Sequence, residues 1–229
     1  MCFSAEASFG LSTALAASGA YCVITAVRRQ NRSHLPLAAI PLFFGIQQFC
    51  EGLVWVGLGE RHQDLVERAS LAYLFFALFF WPLWMPLSIF AQERRPTQNF
   101  IMAVITVLGV ACGLALYLPL VLNLALVVTR IDHHSIHYDF EQSPVFDIVP
   151  WPFWIVLYLA VVAAPILMSR RREVVVVGLV LVMLAGITYV ISATAFVSLW
   201  CFFAAILSIY LCYSFYQMPM PAGHGAALH

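Results

Sequence analysis

The chain has 229 residues, 63% of them apolar and 10% charged, with a formal net charge of zero. Soluble domains average roughly 45–50% apolar and about 25% charged, so this composition excludes an ordinary water-soluble fold. The absence of a basic excess argues against a nucleic-acid partner.

All eleven basic residues are arginine, with no lysine anywhere. A retinal Schiff base and lysine-based covalent catalysis both need a lysine amine, so neither is available. The opening Met1-Cys2-Phe3-Ser4-Ala5 has no basic n-region and no cleavage site, so the first apolar run is expected to be a retained span.

A helix needs about 20 apolar residues to cross a hydrocarbon core of about 30 Å. Seven segments qualify, at approximately 6–27, 36–58, 70–91, 100–122, 151–168, 174–193 and 196–215. They predict an all-α polytopic membrane protein of seven transmembrane helices over residues 1–216, followed by a flexible cytoplasmic tail at 217–229.

Arginine collects in short cytoplasmic loops. Eight arginines (28, 29, 32, 94, 95 and 170–172) follow the first, third and fifth segments, against three, Arg61, Arg68 and Arg130, in the opposite loops. The bias predicts the N-terminus outside and the C-terminus in the cytoplasm. The long connection at about 123–150, rich in histidine and acids, then falls outside.

The second segment holds the most informative group. Gln47, Glu51 and Trp55 recur every four residues and Gln48 precedes Glu51 by three, so one helical face carries two amides, a carboxyl and an indole. A carboxyl inside a membrane marks a pathway, a proton relay or a ligand unless it merely ties helices together. In the fourth segment Gly109 and Gly113 form a small-xxx-small packing step, as do Ala204 and Ser208 in the seventh.

Of six cysteines, Cys22, Cys112 and Cys212 are expected to be packing residues. The topology brings Cys2 and Cys201 to the outer side, where they can form a disulfide, share a metal or remain separate thiols. His134 of the outer loop can join them. Two thiolates and an imidazole suit zinc or another transition metal and leave one position for water, with Glu51 as general base or fourth ligand.

Four pieces, Met1-Cys2-Phe3-Ser4-Ala5, Gln47-Gln48-x-x-Glu51-Gly52-x-x-Trp55, His134-Ser135-Ile136-x-Tyr138 and Ser198-x-Trp200-Cys201-Phe202-Phe203-Ala204-Ala205, carry a resemblance over nearly the whole chain. The sequence resembles an uncharacterised family of small bacterial multi-helix membrane proteins that begin Met-Cys-Phe-Ser-Ala. The resemblance implies a bacterial inner-membrane location and selects His134 over His133 and His137. It also places Ser135 and Tyr138 beside Glu51 as candidate catalytic groups, and Trp200 with Gln47, Gln48 and Trp55 as candidates to hold a substrate or cofactor.

The expected function is a metal-centred site facing the periplasm or exterior, formed by Cys2, His134, Cys201 and Glu51. There a zinc-activated water would hydrolyse or hydrate a lipid or small molecule. A transporter or channel using Glu51 as its proton or ion site is one alternative. A protein that binds or senses a metal, haem or lipid without turnover is another.

Overall fold

The computed structural model describes residues 4–29, 32–132, 135–191 and 195–216. Helix α1 (Ala5–Arg28) starts where Ser4 caps it, the Ser4 hydroxyl accepting from the Ala7 amide at 3.3 Å. A short α2 (Leu35–Ala38) leads directly into α3 (Ile40–Glu60). That helix stops at Arg61, which takes the left-handed conformation at φ 57° and ψ 36°. The neighbouring His62 then caps α4 (Gln63–Leu74), its Nδ1 accepting from the Leu65 amide at 3.3 Å.

A π-helical segment, Phe75–Phe80, joins α4 to α5 (Trp81–Phe90) without a break. Pro96 opens α6 (Pro96–Leu122) at a position where no helical hydrogen bond is lost. The hairpin of β1 (Val128–Asp132) and β2 (Ser135–Asp139) follows, then the single turn α7 (Val145–Ile148). The chain closes with α8 (Trp151–Leu167), α9 (Arg172–Ile191) and α10 (Phe196–Tyr216).

Among the described residues, five helical stretches are long and apolar enough to cross a membrane: Ala5–Arg28, Arg32–Glu60, Gln63–Phe90, Pro96–Leu122 and Arg172–Val190. Trp151–Leu167 and Phe196–Tyr210 are apolar but shorter. Together they coincide with the seven apolar segments of the sequence. Large side chains such as Phe100, Val107, Val156 and Val190 stand outward on these helices, the pattern of a bundle whose solvent is lipid.

Contact between helices depends on small residues, because lipid supplies no hydrophobic drive for helix association. A Cβ on Gly109 would stand 2.7 Å from the Pro82 carbonyl carbon and 3.0 Å from Val161 Cγ1, so α6 meets the backbone of α5 and a valine side chain of α8 at this glycine. Gly113 meets Phe79 in the same way, so the packing step read from the sequence is a real interface. Between α1 and α3, Ser12 Oγ donates to the Gly45 carbonyl at 2.8 Å.

The connection at 123–150 holds more than a loop. β1 and β2 pair antiparallel, Thr129 opposite Tyr138 and Arg130 opposite His137. Ser135, Ile136, His137 and Tyr138 are all buried, so β2 is the inner strand and β1 the outer one. Thr129 Oγ1 donates to Ser70 Oγ at 2.8 Å, and the Tyr73 and Tyr138 rings stack at 4.7 Å, fastening the hairpin to α4.

Candidate functional site

Below the hairpin, α3, α4 and α10 enclose a polar cluster in an apolar bundle. Glu51 is 3% exposed and accepts a hydrogen bond from Ser198 Oγ of α10. Gln47 and Gln48, one turn earlier on α3, are fully buried. Gln47 Oε1 accepts from Trp81 Nε1 at 2.7 Å, while its Nε2 faces the Cys201 thiol and has no hydrogen-bond partner of ordinary geometry among the described residues. Gln48 lies against Glu51, yet neither of its amide atoms makes a hydrogen bond of ordinary geometry.

Two phenols complete the cluster. The Tyr73 hydroxyl donates to the Val197 carbonyl at 3.4 Å and lies beside Cys201 and Glu51. The Tyr138 hydroxyl has no partner among the described residues. Burial pushes it well above the usual phenol range, and the neighbouring Glu51 and Cys201 add to this, so Tyr138 stays a neutral donor. An unpaired buried polar atom costs about 1–3 kcal/mol, which makes this concentration of orphans at one place a demand for a ligand or water.

The sequence-derived residues divide accordingly. Gln47, Gln48, Glu51, Tyr138 and Cys201 are brought together. Ser135 is buried at the start of β2, and Trp55 is half-buried a turn beyond Glu51. Trp200 points away from the cluster, its Nε1 donating to the Leu181 carbonyl of α9 at 3.3 Å. Cys2 and His134 lie outside the described residues.

Among the described residues no three histidine, cysteine, aspartate or glutamate side chains gather as a metal site. Cys201 is a free thiol, which removes the disulfide reading for it. Cys22, expected as a packing thiol, is disulfide-bonded instead. Helical periodicity gives that cysteine's burial but not its neighbour across the bundle. Of the outer-loop histidines, His137 is buried, and its Nδ1 has no partner among the described residues.

Ser198 and Tyr73 escaped the sequence reading as site groups. A serine in an apolar helix and a tyrosine near a helix end carry no signal of their own. For Ser198 a hint existed in its position three residues before Cys201, on the same helical face.

The cluster has a distinct floor and roof. Towards the arginine-rich end lies an apolar void of about 40 Å³ lined by Leu37, Ile40, Phe44, Met85 and Ile166 among others. At the opposite end a roomier cavity of about 210 Å³ opens beneath the hairpin, with Tyr138 and Val197 shared between it and the cluster.

A family profile matches residues 1–224, that of a family of unknown function, DUF6629. The chain belongs to that family. No curated protein and no solved structure matches it.

Proposed function

We propose that the chain is an integral protein of the bacterial inner membrane with seven spans, its N-terminus outside and its C-terminus cytoplasmic. Its outer half holds a dead-end site for a small polar ligand. The arginine bias supports the orientation, as does the gathering of His34, Glu93, Arg170 and Arg171 around one cavity at the end opposite the hairpin. Glu51 supplies a carboxyl for proton exchange, Cys201 a thiol, and Tyr73 and Tyr138 hydroxyls for orientation.

The observation that carries this reading is the set of buried atoms on Gln47, Gln48 and Tyr138 around Glu51 that have no partner among the described residues, closed below by an apolar floor. A through pathway needs polar groups on both sides of the cluster, and the floor offers almost none. That weighs against the transporter or channel.

The test is side-specific labelling of a variant that keeps Cys201 as its one free thiol. In sealed oriented vesicles a small water-soluble methanethiosulfonate reaches Cys201 from outside and not from the cytoplasmic face. Equal labelling from both faces, or proton flux that Glu51→Gln abolishes, overturns the dead end.

A second reading is favoured by the thiol lying beside a carboxyl, two donor types that bind zinc. Here Cys2 and His134 complete the ligand set, and a metal-bound water performs hydrolysis or hydration of a lipid or small molecule. Elemental analysis of purified protein decides it. Stoichiometric zinc that is lost in Cys201→Ser supports the metal, and metal-free protein removes it.

A further inference from the structure

The cavity beneath the hairpin has walls unlike the polar cluster behind it. Phe140, Phe146 and Trp151 form one corner, with Phe146 and Trp151 at 5.1 Å and 89° and Phe140 and Trp151 at 5.7 Å and 75°. Tyr189 and Phe196, 6.2 Å apart at 80°, form a second wall. Tyr138 closes the inner end, and His137 and Glu141 are the other polar residues of the lining. The space, about 210 Å³, is many times the roughly 10–15 Å³ that a single water needs.

Charge points the same way as shape. Residues 123–150 carry four carboxylates, Asp132, Asp139, Glu141 and Asp147, against the single cation Arg130. Arg130 is spent on Asp139 at 3.5 Å. Glu141 is exposed and has no ion pair among the described residues. An anion entering this mouth meets carboxylate and the negative faces of aromatic rings. A purely apolar ligand leaves Glu141 and the unpartnered His137 Nδ1 unused. An organic cation suits the rings and the carboxylate together, because ring faces attract it and Glu141 at the rim balances its charge.

We infer that the aromatic box of Phe140, Phe146, Trp151, Tyr189 and Phe196, with Glu141 at its mouth, binds a quaternary or substituted ammonium group. This rests on the outward-facing reading above and names the ligand class for that site. Tyr138, which lies beside Glu51 and Cys201, is the cavity's point of contact with the polar cluster. Two sources share this chemistry, the headgroup of an outer-leaflet lipid and a free ammonium compound.

The experiment uses the full chain in nanodiscs of anionic phosphatidylglycerol, titrated calorimetrically with choline and with its uncharged tert-butyl carbon isostere. Choline binds at least about tenfold tighter than the isostere, since the two differ in charge and little in shape. Glu141→Gln and Tyr189→Leu, both at exposed positions that leave the fold intact, each weaken choline several-fold. Repeating the titration in phosphatidylcholine nanodiscs separates the sources: lost binding there identifies a lipid headgroup as occupant, and unchanged binding a free cation. Equal affinity for choline and isostere, or an undiminished Glu141→Gln, overturns the inference. Choline that binds while Cys201 labels only from the cytoplasm keeps the box and sinks the outward reading. Outside labelling without choline binding does the reverse.

Discussion

Replacing Ser198 by alanine removes the hydroxyl that joins α10 to Glu51 on α3, across 147 residues of sequence. Two magnitudes compete for the outcome. Interhelical hydrogen bonds in bilayers average about 0.6 kcal/mol with a maximum near 1.7, because the separated helices find other partners. Stranding a buried acceptor costs about 1–3 kcal/mol. Glu51 is 3% exposed, and its neighbour Gln48 offers no hydrogen bond of ordinary geometry. The second effect therefore dominates, and the expected loss is about 1.5 kcal/mol, inside the overlap of the two ranges. For a chain of this size that lowers the melting temperature by about 3–6 °C. Thermal unfolding in nanodiscs measures it, and a double-mutant cycle with Glu51→Leu isolates the pair. Coupling of about 1 kcal/mol is expected there. Additive single effects, or a Ser198→Ala loss below about 0.5 kcal/mol, would show that the hydroxyl does not support the carboxyl.

Tyr138→Phe removes a hydroxyl that has no partner among the described residues but keeps the stack on Tyr73, so stability holds or rises by up to about 1–3 kcal/mol while ligand affinity falls. Thermal unfolding read beside calorimetry checks both halves, and a large loss of stability would reveal a bond to that hydroxyl. Gly109→Ala forces a methyl against the Pro82 carbonyl and lowers stability by about 1–3 kcal/mol or more. Gly10→Ala meets nothing within 4 Å and serves as the tolerated control in the same unfolding assay. At the arginine-rich end, the Arg95 and Arg94 backbone amides and the Arg95 guanidinium hold the Glu93 carboxyl below the usual carboxylate range. A depressed folded-state pKa adds stability above the unfolded value of about 4.3, and that gain disappears as pH falls through the folded value. Glu93→Gln is thus slightly less stable than the parent near pH 7 and equal to it in acid, the gap being small because the Arg95 side chain is 45% exposed and solvent screens its end of the pair. Melts across the acid range test this, and a gap that widens in acid contradicts the sign.

Helix placement was legible because a bilayer imposes one rule on every span: enough apolar residues in a row to cross it. Two kinds of element fell outside that rule. The first turns of α4, with Gln63, Asp64, Glu67 and Arg68, are too polar to register as a span, yet they fold as helix beyond the apolar stretch. The hairpin is held by partners far along the chain, Ser70 and Tyr73, which no local pattern reveals. Glu51, Gln47 and Gln48 announced themselves because polar groups are conspicuous among apolar neighbours. Ser198 and Tyr73 did not, because they become significant through the helices they face. Cys201 and Tyr138 were placed near Glu51 through topology and resemblance together, and both lie beside it. Trp200 sits next to Cys201 in sequence, but about 100° of helical rotation turns its indole to α9 instead.

The wide turn at Phe75–Phe80 sets the timing of the helix that contains it. Tyr73 and Trp81 are eight positions apart, which in an unbroken α-helix leaves them roughly 80° out of step. The π turn holds the rotation back by about one residue's worth and returns both rings to the side facing α3, where one lies beside Glu51 and the other donates to Gln47. The number of residues between those rings is therefore a mechanical constant of the protein. Losing one would let the coil tighten and swing one ring out towards lipid, and the chain would keep its hydropathy profile while forfeiting the chamber it surrounds.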